Sequence, residues 1–245
     1  MPITSSDLVL YNSANMPTDD TSTSGGAVDT LRRPVFTQLT ANSQIALVSS
    51  GADTRVATIT GRLPNGNLVT ENVTLNGTTE VLSANTYERL LRLDLSATHA
   101  SNTVTVRQGS GGPTIATIPP GERGITAMFI NSQSESTAVD RYEKVFFRNN
   151  HATLNLQSAK VTLTADPASK IFIGLATAKN DTGSVPNRRT APSGITFVDD
   201  NVEVAVPGDV LEAGSAIGVW VRQSLAANDA ALKSTFTLRI SGTTV

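Results

Sequence analysis

His99 and His151 are the two histidines of the chain, and no cysteine accompanies them. An imidazole titrates near neutrality, so either could act as a general base. Neither stands at the spacing of a known catalytic triad, and no G-x-S-x-G nucleophile elbow is present. His99 lies in Ser96-Ala97-Thr98-His99-Ala100-Ser101-Asn102 and His151 in Asn149-Asn150-His151-Ala152. Both segments read as turns between strands. The lack of cysteine removes thiolate nucleophiles, disulfides and Cys-ligated zinc. Asp199-Asp200-Asn201 and Asp209 could offer oxygens to calcium, but the Gly and terminal Glu of an EF-hand loop are missing. Asp19-Asp20 is a weaker candidate still. Glu71, Glu80 and Glu88 read as solvated strand residues, since a glycosidase pair needs two carboxylates brought face to face. Gly109-Ser110-Gly111-Gly112 lacks the Lys-Ser/Thr of a phosphate loop and runs into Pro113 and a strand, which reads as a hairpin loop. The sequence therefore predicts no catalytic residue, no metal and no cofactor, and a protein that is not an enzyme.

What remains is contact chemistry. Trp220, in Ile217-Gly218-Val219-Trp220-Val221-Arg222, could stack a sugar or base beside its arginine, but a core or interface anchor uses its large apolar area better. Arg32-Arg33 and Arg188-Arg189 flank loops, and arginine suits interface pairing with carboxylates. Leu8, Leu10 and Tyr11 belong, with Val9, to a short apolar strand-like run in an otherwise polar leader. These eight residues are the candidate interface.

The elements that would position them are strands. The chain has 245 residues with 33 threonines, placed in short alternating apolar and polar runs between Gly, Pro, Asn and Asp. Such runs read as half-buried strands. Leu63-Pro64-Asn65-Gly66-Asn67 and Asn76-Gly77 supply the positive φ of tight hairpins. Turn signals every ~8–12 residues fit a sandwich. The predicted fold is all-β: two β-sandwich-like domains in tandem with an extended N-terminal arm. The arm covers residues 1–33, the first domain 34–126, a polar linker 127–141 and the second domain 142–245. Strands are expected at 35–40, 45–49, 55–62, 68–76, 79–82, 88–96, 103–108 and 114–118, then at 142–148, 153–156, 160–165, 170–176, 195–197, 202–206, 215–223 and 234–241. Residues 225–232 hint at one helical turn. The arm holds little apolar area beyond Leu8 to Tyr11, so it is expected to dock on a neighbour by strand addition rather than to stabilise its own subunit.

A net charge of −2 and a pI near 5.7 give no basic footprint for nucleic acid. No apolar stretch is long enough to span a membrane, and the first residues look nothing like a signal peptide. The Asn-x-Thr matches at Asn72, Asn76 and Asn180 then carry no glycosylation.

The leader from Ile3 to Pro17 with Asp20-Thr21-Ser22-Thr23-Ser24-Gly25-Gly26-Ala27 resembles a family of virion structural proteins of tailed bacteriophages. Tyr142-Glu143-Lys144-Val145-Phe146-Phe147-Arg148-Asn149 and Gly218-Val219-Trp220-Val221 extend the resemblance across most of the chain. The resemblance implies a virion component assembled in the host bacterial cytoplasm, with no catalytic motif to transfer. A capsid decoration or cement protein is the leading expectation, with the major capsid protein and further copies of itself as partners. A collar, neck or tail protein contacting host glycans is the alternative, and a carbohydrate-active domain a third.

Overall fold

The computed structural model describes residues 2–129, 135–229 and 235–244. It is nearly all β, with nineteen strands and one 3-10 segment, Pro207–Asp209, among the described residues. No helix among them is long and apolar enough to cross a membrane.

The strands fall into two compact units, but the units are not in tandem. One contains Met1–Asp29, Ser134–Ala230 and Ser234–Val245; the other contains Thr30–Gln133 with Ala231–Lys233. The second is thus an insert in the first, and the two are called here the inserted and the split unit. Strands β1 (Leu8–Asn15) and β2 (Ser24–Asp29) precede the insert. The expected arm, residues 1–33, is therefore not an extended arm but a hairpin of the split unit. Its last residues open the insert, and the boundary between arm and first domain moves from 33 to 29.

The insert is built from β3 (Arg32–Val35), β4 (Ile45–Ser49), β5 (Val56–Arg62), β6 (Leu68–Thr74), β7 (Val81–Leu82), β8 (Arg89–Leu95), β9 (Val104–Gln108), β10 (Thr114–Ile118) and β11 (Gly124–Ala127). They form a five-stranded sheet in the order β3-β11-β8-β5-β6 and a four-stranded sheet in the order β10-β9-β4-β7. Alternation decides which side chains meet. Leu93 and Leu95 of β8 join Ile59, Leu47, Val104, Val106 and Ile125 in one core cluster, all buried. Gly66, at φ +85°, closes the β5–β6 hairpin where Asn-Gly indicates it, with Arg62 opposite Leu68. β11 pairs parallel with β3, the one parallel pair among the described strands; the sequence reading expects no strand there, with 124–126 following the last predicted strand of the first domain and Ala127 in the linker.

The split unit continues with β12 (Val139–Asn149), β13 (Leu156–Ala165), β14 (Ile171–Lys179), β15 (Ser184–Val185), β16 (Glu203–Ala205), β17 (Val210–Leu211), β18 (Ala216–Leu225) and β19 (Thr237–Thr244). Its larger sheet runs β14-β18-β12-β1-β2-β15, and β13 pairs with β16, β17 and β19 in the smaller one. β12 lies between β18 and β1, and nine of its eleven residues, all but Asp140 and Arg148, are buried, charged ones included. The linker predicted at 127–141 lies partly outside the described residues, but Ala127 ends β11 and Val139–Arg141 begin β12. The run at 160–165 lies within β13, but of the strand expected at 153–156 only Leu156 does, the residues before it forming the turn after His151. Ile195–Phe197 is not a strand; beside it Val198 makes a single bridge to Ile173. Residues 225–229 end β18 and form a turn, while 230–232 lie outside the described residues, as does Ser234.

Candidate functional site

The densest constellation of charge surrounds the loop of the β1–β2 hairpin. Asp19 builds that loop. Its Oδ1 accepts the backbone N–H of Thr21 and Ser22 at 2.7 and 2.8 Å, and both hydroxyls donate to the same carboxylate. Burial opposes the charge, yet these four bonds hold the Asp19 carboxyl at about 2. The turn so fixed presents Asp20 to three arginines. Arg141 Nε and Nη2 donate to its two oxygens at 2.8 and 2.9 Å. Arg188 Nε donates to Oδ1 at 2.5 Å and Arg189 Nε to Oδ2 at 2.7 Å. Two more carboxylates complete the group: Glu135 reaches Arg141 and Arg189 at 2.5 and 3.1 Å, and Glu143 reaches Arg188 at 3.2 Å. Three cations thus face three anions. Arg141, Arg188 and Glu143 have side chains no more than 5% exposed, while Arg189 remains 44% exposed. Burial pushes the Asp20 carboxyl up, but the guanidinium hydrogen bonds and the Arg188 charge hold it far below the usual carboxylate range.

A further buried cation follows Glu143 on β12. Lys144 is fully buried, with its Nζ donating to the Asp181 carboxylate and to the carbonyls of Gly26 and Gly183 at 3.2 and 3.1 Å. It also stands over the Phe146 and Trp220 rings at 4.8 and 5.4 Å. Burial lowers the ammonium, opposed by Asp181. Gly25 explains why the hairpin can come this close. It has φ +93°, and a Cβ there would lie 2.7 Å from the Trp220 ring and 2.9 Å from the Gly183 carbonyl. Ser24 adds a hydroxyl bond to the Tyr142 carbonyl at 2.8 Å. Glycine, serine and aspartate in the leader are therefore a set of keys to β12 and to the loop at 181–189.

The candidate interface residues take internal places. Val9 and Tyr11 are buried, and Leu8, Leu10 and Tyr11 sit in β1 opposite Asn149, Phe147 and Phe146. Trp220 is 3% exposed and is a core residue of the isolated chain. Arg32 pairs with Asp94 at 2.6 Å and Arg33 forks onto Glu122 at 2.6–2.9 Å, both inside the inserted unit. Burial raises the Glu122 carboxyl against the pull of Arg33. Arg188 and Arg189 belong to the Asp20 cluster.

The two histidines build the same small device. In His99-Ala100-Ser101-Asn102 the Nδ1 accepts backbone N–H bonds from Ser101 and Asn102 at 3.2 and 2.9 Å. In His151-Ala152-Thr153-Leu154 it accepts from Thr153 and Leu154 at 3.2 and 2.9 Å. The shared His-Ala-Ser/Thr wording is the sequence signal for this turn. His99 also lines an open depression of about 290 Å³ with Ala52, Asp53, Thr54 and Arg55. Hydrogen bonds from Arg55 hold the Asp53 carboxyl there at about 2, as an ionised partner rather than an acid. Asp199, Asp200 and Asn201 form a turn, with Asn201 at φ +60°. No group of three or more metal-binding side chains occurs among the described residues.

Sequence reasoning missed Glu135, Arg141, Glu143, Lys144 and Asp181, and it weighed Asp20 only as a weak calcium ligand. One signal was present: Glu143-Lys144 puts adjacent charges within the apolar run Tyr142–Phe147, so in a strand one of them must point to each face. No protein-family model, curated protein or solved structure matches the chain.

Proposed function

We propose that this chain is a structural subunit of a tailed-phage particle, a decoration protein that binds the head lattice. The observation that carries the reading is how its reactive side chains are used. Both histidines cap turns, and the arginines and carboxylates of the largest cluster neutralise one another while holding a hairpin in a sheet. Such an arrangement serves rigidity and shape, which a lattice subunit needs. The leader and the β12 and β18 segments that resemble virion proteins are the ones the Asp20 and Lys144 sites hold together. The test is composition and position: the protein should be present in purified particles, and density for it should lie on capsid faces. Its absence from particles sinks the reading.

The collar or tail reading has one feature in its favour, the open depression beside Asp53, Arg55 and His99 on the loops of the inserted unit. Density at the neck or fibres, with glycan binding lost in an Arg55→Ala variant, would select it instead.

A further inference from the structure

Asn-Gly occurs twice in the chain, at Asn65-Gly66 and at Asn76-Gly77, both in the inserted unit. The dipeptide carries a reaction of its own. A glycine has no Cβ, so its backbone nitrogen can approach the preceding side-chain amide, and attack closes a five-membered ring. The two sites are identical in sequence and differ in how the fold holds them.

Asn65 stands at the tip of the β5–β6 hairpin and is exposed, as are Pro64 and Asn67. Gly66 donates its N–H to the Leu63 carbonyl at 2.8 Å, and Leu63 donates to the Asn67 carbonyl at 2.9 Å, so both bonds lie within the turn itself. A Cβ at Gly66 would meet nothing within 4 Å. Such a tip opens locally without disturbing the sheet behind it. The Asn67 N–H donates to Asn65 Oδ1 at 3.0 Å. That oxygen takes on negative charge when the amide carbon is attacked, so a donor is already aimed where charge develops.

Asn76-Gly77 is braced from outside its turn. Gly77 donates its N–H to the Asp53 carbonyl at 2.9 Å, and its own carbonyl accepts from Ser49 at 3.1 Å. Asn76 forms a bridge with Thr79. A Cβ at Gly77 would meet Gly51 and Ala52 at 3.6 and 3.7 Å. To react, the Gly77 nitrogen must leave the loop of Asp53, whose carboxylate is tied to Arg55 and Ser49. The same chemistry waits there on a larger opening.

We propose that Asn65 is a site of spontaneous deamidation and isomerisation, selected over Asn76 by the fold. The Gly66 nitrogen bonds to Asn65 Cγ, and its proton passes through solvent to the departing amide. The Cγ–Nδ2 bond breaks and ammonia leaves. Water then opens the succinimide at either carbonyl, giving aspartate or isoaspartate at position 65. Nothing is oxidised or reduced, and water is the only co-reactant. Isoaspartate adds one methylene to the backbone of a turn that sets the β5–β6 register, beginning with Arg62 opposite Leu68. Either product puts a carboxylate next to Gly66, whose carbonyl accepts from Arg62 Nη1 at 3.1 Å. Arg62 stands opposite Arg89 in the β5–β8 ladder, so an anion is added where two arginines face each other. The proposal does not rest on the virion reading.

The test is to incubate the purified full chain in mildly alkaline buffer, folded and in urea. Peptides spanning each site are followed by mass spectrometry, and isoaspartate is read by isoaspartyl-specific methylation. In the folded chain position 65 should convert at least about tenfold faster than position 76, equivalent to ~1.4 kcal/mol in the barrier. In urea the two rates should come within about twofold of each other, since only the fold separates them. Asn65→Gln should remove the isoaspartate signal of the folded chain and leave its thermal unfolding unchanged. Equal rates in the folded chain, or faster conversion at 76, overturn the proposal. So does a preference for 65 that persists undiminished in urea, because the sequence and not the fold would then select the site. An isoaspartate signal that survives Asn65→Gln overturns it as well.

Discussion

Replacing Asp20 by asparagine tests whether the leader is part of a folded unit. The side chain keeps its size but loses its charge, so the cluster passes from three anions and three cations to an excess of one cation. Arg189 is nearly half exposed and can turn to water at little loss. Arg141 and Arg188 cannot, with side chains 3% and 5% exposed. Each keeps one carboxylate, Glu135 or Glu143, so neither is wholly stranded. Breaking a buried pair outright costs about 3–5 kcal/mol and a single bond to a charged group about 1.5–3. With two of three arginines half-compensated, the expected loss is about 3 kcal/mol. In thermal unfolding that corresponds to roughly 6–12 °C at ~2–4 °C per kcal/mol for a unit of this size. The loss should fall on the transition of the split unit and leave that of the insert in place. The pH dependence supplies a second reading. Asp20 has a folded pKa well below its unfolded value, so its contribution is complete above about pH 5 and is lost as the pH falls below ~4. The gap between native and Asp20→Asn proteins should be constant from neutrality to about pH 5 and narrow below ~4. A shift under about 1 kcal/mol, smaller than one charged hydrogen bond, would refute the reasoning. A gap that widens in acid would refute it equally.

Other outcomes follow from the same geometry. Gly25→Ala should destabilise the split unit by at least about 2 kcal/mol, since the methyl meets both Trp220 and the Gly183 carbonyl at a positive φ; near-native urea unfolding would contradict it. Lys144→Met should lose only ~1 kcal/mol, because methionine packs against Phe146 and Trp220 and Asp181 stays hydrated. Lys144→Ala should lose ~3 through the cavity it leaves, so equal losses would show that charge rather than volume matters at this position. His99→Ala and His151→Ala should each lose about 0.5–1 kcal/mol, as for a lost cap, with asparagine restoring most of it; unequal responses would break the equivalence of the two turns. Deleting residues 1–29 should abolish the folded split unit, seen as loss of its unfolding transition and of near-ultraviolet Trp220 dichroism.

The strand content was legible because it rests on local rules. Alternation in Leu91-Arg92-Leu93-Asp94-Leu95 and Val104-Thr105-Val106 and the Asn65-Gly66 turn place β8, β9 and the β5–β6 hairpin nearly to the residue. Pairing partners are a different matter. β1 lies beside β12, more than a hundred residues onward, and no local pattern in either strand names the other. A segment of small polar residues followed by a folded region reads as a flexible arm, since it cannot bury a core of its own. It becomes ordered here because its partners are charges and carbonyls rather than apolar side chains.

That choice of partners explains why the site was the least legible part. An arginine pair beside a loop is compatible with solvent, a partner surface or an internal carboxylate, and Arg188-Arg189 gives no sign of which. Asp19-Asp20 reads as two equivalent carboxylates, yet one closes its own turn and the other crosses to three arginines, a division made by the fold of the loop. β12 is the exception. A strand with both faces covered reads as a near-continuous apolar run, and a central pair such as Glu143-Lys144 can be accommodated only if each face holds a partner of opposite sign. Those partners exist, Arg188 for the glutamate and Asp181 for the lysine, and they flank the short strand β15, in the loop at 181–189. The leader's hairpin fits against that same loop. The two buried charges on β12 therefore fix the loop, the loop fixes where the hairpin docks, and the docked hairpin brings the carboxylate of Asp20 that brings the arginines to neutrality.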